Sequence, residues 1–225
     1  MALVERVIRD AGRTYSIDPD IPRSFLFGEY MRRGIQLMRG LLTLRGRVFR
    51  GSGVQIMCKR NLKAASFSTI GAGAIVDASG SRGVQLGRGA KLGRRVIVTS
   101  TSQLSKRGVG LVVGDFSGIG DCAHIGCTGG VSIGKDVIAG PYVTFHSTEH
   151  VTDDVDTPIR SQGFREAEVI IEDNVWIGAR CTFLAGSHVR SGTVVAAGSV
   201  VRGKFPPNCV IGGVPAKVLK FRAPC

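Results

Sequence analysis

The chain has 225 residues, with 30 Lys and Arg against 17 Asp and Glu for a net charge of +13, and that length suits one domain with a full core or one domain plus a short appendage. Aromatics are only 6% of residues against 43% apolar overall, so Val, Ile, Leu and Ala must build the core. Thirty-two glycines with no Gly-x-y period and only 8 prolines exclude collagen, and no run approaches the ~18–20 apolar residues of a membrane span.

Residues 1–50 read as a basic, amphipathic helical segment. The opening "MALVERVIRDAGRTY" lacks the uninterrupted apolar stretch of a secretory signal. In "SFLFGEYMRRGIQLMRGLLTLR" (24–45) apolar residues fall at 27, 30, 31, 35, 38, 41 and 42, close to a 3.6 period, with arginines at 32, 33, 39 and 45. Two readings stand: a helix laying its apolar stripe on the first unit of a repeat array as a cap, or peripheral contact with a membrane through 24–45.

From Ile70 the chain beats in sixes: "IGAGAI", "LGRGAK", "LGRRVI", "VGDFSG", "IGDCAH", "IGCTGG", then "IGKDVI", "AGPYVT", "FHSTEH". A six-residue period is not helical, but it is a multiple of two, so each copy forms a short strand with fixed inward sides. The aliphatic at the first position fills the core and the small residue at the fifth fits a narrow corner. Glycine at the second supplies the turn conformation that links one strand to the next. Stacked coils of this kind give an all-β parallel β-helix over 51–211.

The beat stops at "FHSTEHVTDDVDTPIRSQGF" and resumes at "VIIEDN". This excursion, about 146–168, adds nothing to the stability of a solenoid, and long loops in compact folds are usually functional. It carries His146 and His150, two of the four histidines. The sixes then run "IEDNVW", "IGARCT", "FLAGSH", "VRSGTV", "VAAGSV", "VRGKFP", and 212–225 form a closing tail. The six cysteines, at 58, 122, 127, 181, 209 and 225, make no C-x-x-C pair, and Cys181 falls on an inward position. Free thiols in a reducing cytosol fit that pattern better than a disulfide frame.

The repeats, the excursion and the stretch "IIEDNVWIGARCTFLAGSHVRSGTVVAAGSVVRGKFPPNCVIGGVPAKVLKFR" (170–222) resemble the hexapeptide-repeat acetyltransferases. The maltose, galactoside and surface-polysaccharide O-acetyltransferases are the nearest groups, and the resemblance covers 66–222. It implies a left-handed parallel β-helix, a homotrimer, and acetyl-CoA lying in a groove along the coils, with no metal. It also implies transfer of an acetyl group to a sugar hydroxyl, in the cytoplasm or on the inner face of the membrane. His150 takes the family's catalytic slot, and His146 is assigned to the substrate pocket. A neutral imidazole with a pKa near ~6.5 can take a hydroxyl proton and return it to the departing thiolate. Trp176, Gly178, Ala179, Ala197, Arg202, Lys217 and Lys220 match CoA-proximal positions. Ala179 stands where the family has a serine, so only its backbone N–H could serve an oxyanion. Glu149, Asp153 and Asp154 are the nearby acids that could orient His150. Gly120, beside Asp121 and His124, occupies the place of a family asparagine, which leaves the acceptor open.

Other readings compete. A zinc-dependent γ-type carbonic anhydrase would use three histidines, and His124, His146 and His150 invite the comparison, but their spacing departs from that family's. Serine-type, antibiotic-modifying and N-acetylating relatives share the chemistry. A scaffold would need no displaced loop histidine, and no nucleic-acid module accompanies the basic charge.

Overall fold

A computed structural model describes residues 17–101 and 106–222; the expectations for 1–16 and 223–225, Cys225 included, lie outside them. From Phe49 the backbone coils through short parallel strands that stack into three sheets. Every full turn visits face A, then face B, then face C. Face A runs from Phe49–Arg50 through Thr69–Ile70, Lys91–Leu92, Gly118–Ile119, Ile138–Ala139, Trp176–Ile177 and Val194–Val195 to Cys209–Gly213. Face B begins at Gln55–Met57 and ends at Val200–Val201, and face C begins at Leu62–Ala64 and ends at Lys204–Phe205. The last strand, Ala216–Phe221, turns back antiparallel on Cys209–Gly213 and closes face A.

The six-residue period explains the core. First-position residues stack as a ladder inside face A: Ile70, Leu92, Ile119, Ile177, Val195 and Ile211 are all buried. Fifth-position residues such as Ala74, Ala123, Cys181 and Ser199 are buried at the corners. Phe145 and Phe183, successive on face B, stack with ring centroids 4.9 Å apart.

The role expected of second-position glycine is corrected. The left-handed backbone falls on the fourth residue of the corner, at Gly73, Arg95, Cys122, Tyr142, Arg180 and Gly198. Second-position glycines are needed for closeness instead. A Cβ on Gly178 would lie 2.5 Å from the Ala197 nitrogen of the next coil, and one on Gly140 would lie 2.7 Å from the Ala179 nitrogen.

The coils also begin earlier than the legible beat. Phe49–Arg50 pairs with Thr69–Ile70 and Gln55–Met57 with Ile75–Asp77, but a 3-10 turn at Lys59–Asn61 throws the first coil out of phase. Two segments leave the solenoid, both at the edge between faces B and C. One follows Ile97–Thr99, and the other follows Thr144–His146 and returns at Val169–Ile171.

The N-terminal helix, α1 (Arg23–Leu44), packs on the first coil, but not by its apolar stripe as the capping reading expected. Phe27, Met31, Ile35, Met38, Leu41 and Leu42 are exposed. The helix seats itself through Gln36 and Gly40, which are buried. A Cβ on Gly40 would sit 1.8 Å from the Val48 carbonyl oxygen, so glycine here permits a backbone-to-backbone contact that overrides the apolar stripe. Arg33 covers the Phe49 ring at 4.8 Å. Among the described residues no helix is long and apolar enough to cross a membrane.

Candidate active site

The excursion is an antiparallel hairpin. Thr148–His150 pairs with Phe164–Glu166, and His150 stands opposite Phe164 at its outer end. Ser147 anchors the hairpin's root: its Oγ donates to the Gly126 carbonyl at 2.8 Å and accepts the Gly129 N–H at 2.9 Å. The tip closes on Asp154, which accepts the Asp156 N–H at 2.9 Å and the Thr157 hydroxyl at 2.7 Å. Asp153 is paired with Arg165. Two of the three acids considered as partners for His150 are therefore engaged elsewhere. Among the described residues none hydrogen-bonds either ring nitrogen of His150, which is exposed.

His146 ends its strand on face B, one coil above Gly126, and its ring centroid is 5.9 Å from that of His124. Burial lowers the proton affinity of His124, and the neighbouring His146 lowers it further. The structure thus pairs His146 with His124 and carries His150 away on the hairpin. Among the described residues no three His, Cys, Asp or Glu side chains form a group able to hold a metal.

Sequence reasoning missed the other excursion. Lys106 lies in it, donates to Glu166 at 2.7 Å and stands over the Phe164 ring at 5.8 Å, so it packs beside the histidine hairpin. Asp77 ties down its root by accepting the N–H groups of Ser100 and Thr101 at 3.0 and 3.1 Å. The signal was present in the sequence as the jump in the beat between Val98 and Val113.

The residues matched to the donor site gather on the opposite side of the molecule. On face A, Trp176 lies in register with Ile138 below and Val194 above, and both Trp176 and Ile138 are more than half exposed. Gly178, Ala179 and Ala197 form the corner between faces A and B in successive coils, with Gly178 N–H donating to Val195 O at 2.8 Å and Gly198 N–H to Ala179 O at 2.9 Å. The N–H groups of Ala179 and Ala197 themselves have no acceptor among the described residues, so the edge offers two free donors one coil apart. Lys217 stands opposite Gly212 and Lys220 opposite Val210 on the closing strand, and neither has an ionic partner among the described residues. Arg202 is not brought to this corner: it follows Val200–Val201 on face B, at the next edge of the prism.

In a three-sided coil the B–C edge, where the histidine hairpin leaves, lies opposite face A. Within one chain His150 and Trp176 therefore lie on different sides of the prism.

Residues 168–203 match the family model described as bacterial transferase hexapeptide (six repeats). Over 110 residues, 45% of this chain, the sequence is 38% identical to the Escherichia coli (strain K12) protein WbbJ, named for O-acetyl transfer in lipopolysaccharide biosynthesis. Over 91 residues, 40% of the chain, it is 35% identical to the galactoside O-acetyltransferase of the same organism. The match spans 56% of the first relative and 43% of the second, about half the length of each. A hexapeptide-repeat acetyltransferase from Vibrio cholerae O1 biovar eltor, solved with acetyl-CoA, superposes with a TM-score of 0.50. It shares 21% identity, covering 99% of this chain and 91% of that one. At that identity the likeness is one of fold, the left-handed hexapeptide β-helix.

Proposed function

We propose that this chain is a hexapeptide-repeat transferase that moves an acetyl group from acetyl-CoA to a hydroxyl of a sugar in surface-polysaccharide assembly. The observation that carries the reading is the hairpin. A rigid stack of coils releases the chain at one edge, and the released segment holds His150 clear of the core, exposed and with no hydrogen bond to its ring among the described residues. The relatives named for O-acetyl transfer support the same assignment.

Acetyl-CoA supplies a thioester whose carbonyl carbon accepts the sugar oxygen. His150 removes the hydroxyl proton as the new C–O bond forms. The Ala179 N–H, without an acceptor among the described residues, can donate to the carbonyl oxygen as charge collects there. The C–S bond then breaks, and His150 returns its proton to the departing sulfur, so the base is regenerated and no oxidant or reductant is needed. Trp176 offers a flat apolar surface to the pantetheine arm, the Ala197 N–H a hydrogen bond, and Lys217 and Lys220 cations for its phosphates.

Because the B–C edge and face A oppose each other, the reading requires more than one copy, and a homotrimer lets each chain lend a hairpin to the next. The exposed stripe of α1, interleaved with Arg32 and Arg39, supports peripheral contact with an anionic membrane face on the cytoplasmic side. An amino acceptor would use the same base, so N-acylation is the second reading. The test is His150→Ala, for which CoA release with a cognate acceptor falls by about 10²-fold or more. Full activity in that variant would falsify the assignment.

A further inference from the structure

Between α1 and the first coils lies a groove of about 770 Å³. Five cations line it, Arg32, Arg33, Arg39, Lys91 and Arg94, against two carboxylates, Glu29 and Asp121. The carboxylates are already committed: Arg32 is bonded to Glu29, and Arg94 holds Asp121 at 2.7 Å. Arg33 is half-buried against Phe49, with its Nη1 3.4 Å from the Thr69 hydroxyl. Arg39 and Lys91 have no carboxylate partner among the described residues. Lys91 nonetheless acts on both Glu29 and Asp121 through its charge, so it stands between the helix and the corner. The groove therefore holds a positive surplus that the described residues do not neutralise.

A second feature points to an occupant. Gln36 lines the same groove, is only 6% exposed, and its Oε1 finds no hydrogen-bond donor among the described residues. A buried acceptor left without a donor destabilises the fold, so the site favours a ligand that donates to it. A ligand with anionic oxygens for the cations and a hydroxyl for Gln36 would satisfy both features.

The groove is also in line with the donor corner. Ser52, Ala72, Arg94 and Asp121 line it, and each follows the second-position glycine of its coil at the A–B edge. Pro141, Ala179 and Ala197 continue that edge toward the C-terminus. Asp121 and Ala179 are two coils apart, roughly 10 Å at the usual strand spacing. That interval suits a sugar ring lying between a phosphate and the thioester.

We propose that the groove binds the phosphate or diphosphate group of the acceptor, so that the acceptor is a phosphate-linked sugar. The inference rests on the acetyl-transfer reading for the identity of the ligand, but the anion site stands or falls separately. Titration calorimetry of the full chain with inorganic pyrophosphate tests the site, and titration with CoA in parallel reports the donor site. Pyrophosphate binds wild type, and Lys91→Ala and Arg39→Ala each weaken it roughly tenfold or more, as expected for loss of a charged hydrogen bond. Lys91→Gln, which keeps the side-chain stem, does the same, while Lys204→Ala on face C leaves binding unchanged. CoA affinity is unaltered in all of them. Uridine diphosphate and phosphatidylcholine vesicles doped with a polyprenyl diphosphate then separate a nucleotide-linked from a lipid-linked acceptor. Absence of pyrophosphate binding by a wild-type chain that still binds CoA overturns the inference alone, as does equal binding by Lys91→Ala, Lys91→Gln and Arg39→Ala. Pyrophosphate binding without any CoA binding keeps the anion site and overturns the acetyl-transfer reading.

Discussion

Replacing Gly178 by alanine tests how closely the coils stack at the donor corner. The added Cβ would lie 2.5 Å from the Ala197 nitrogen and 2.7 Å from its α-carbon. Carbon atoms rest about 3.5–4.0 Å apart, so the two carbons would be too close by ~1 Å, and the obstacle is backbone rather than a movable side chain. Opening the coil would stretch the Gly178 to Val195 and Gly198 to Ala179 hydrogen bonds, now 2.8 and 2.9 Å. Overpacking of this kind costs about 1–3 kcal/mol, and at ~2–4 °C per kcal/mol for a chain this long the melting temperature falls by ~2–12 °C. Gly118→Ala is the matched control, because a Cβ there meets nothing within 4 Å and its φ is not positive. Thermal melts of both variants by circular dichroism decide the matter. If Gly178→Ala melts no lower than Gly118→Ala, second-position glycine is not there for coil-to-coil closeness and the steric argument is wrong.

Two further outcomes follow from the core and its charged anchors. Phe145 is fully buried and stacked on Phe183, so Phe145→Ala costs ~3–5 kcal/mol; a melting temperature within a degree or so of wild type would contradict the packing described. Burial works to raise the Asp77 carboxyl, but hydrogen bonds from Ser79, Ser100 and Thr101 outweigh it and leave it below the usual carboxylate range. For Glu168, burial is likewise outweighed by the Ser132 hydroxyl and Arg82. Both groups hold protons less tightly folded than unfolded, so their stabilisation is complete above about pH 5 and is lost as pH falls through the lower folded values. Melts taken from roughly pH 6 to pH 3 should steepen at the acid end, and Asp77→Asn should flatten that slope. An unchanged slope in the variant would show that Asp77 does not contribute.

The period of six revealed the solenoid because core positions and corner positions recur between Ile70 and Ile211, interrupted where a segment leaves the stack. It also exposed the hairpin, since a stretch that leaves the stack loses the beat. What stayed hidden has physical causes. The first coil is dephased by the turn at Lys59–Asn61, so its strands carry no readable repeat. The orientation of α1 was hidden because amphipathic spacing tells which face is apolar, not which face is buried; Gly40 decides that by its close approach to Val48, which no periodicity encodes. At the candidate site, Ala179 and Ala197 were legible as neighbours because they hold equivalent positions of adjacent coils, and Trp176 and Gly178 precede Ala179 on the same coil. Arg202 lies elsewhere because it follows the face B strand Val200–Val201, at the edge between faces B and C. The cationic groove joins α1 to residues as distant as Asp121, and only folding brings them together.

The reversal at Ala216–Phe221 has a consequence for length. Parallel coils are a polymer with no internal reason to stop, since each exposed rim is a template for another of the same direction. A strand running the other way occupies that rim on face A, and at the far end α1 sits on the Val48 carbonyl. Termination is thus written into the chain at both ends. The number of coils between them is a ruler, and it sets how far apart two ligands can lie along one edge.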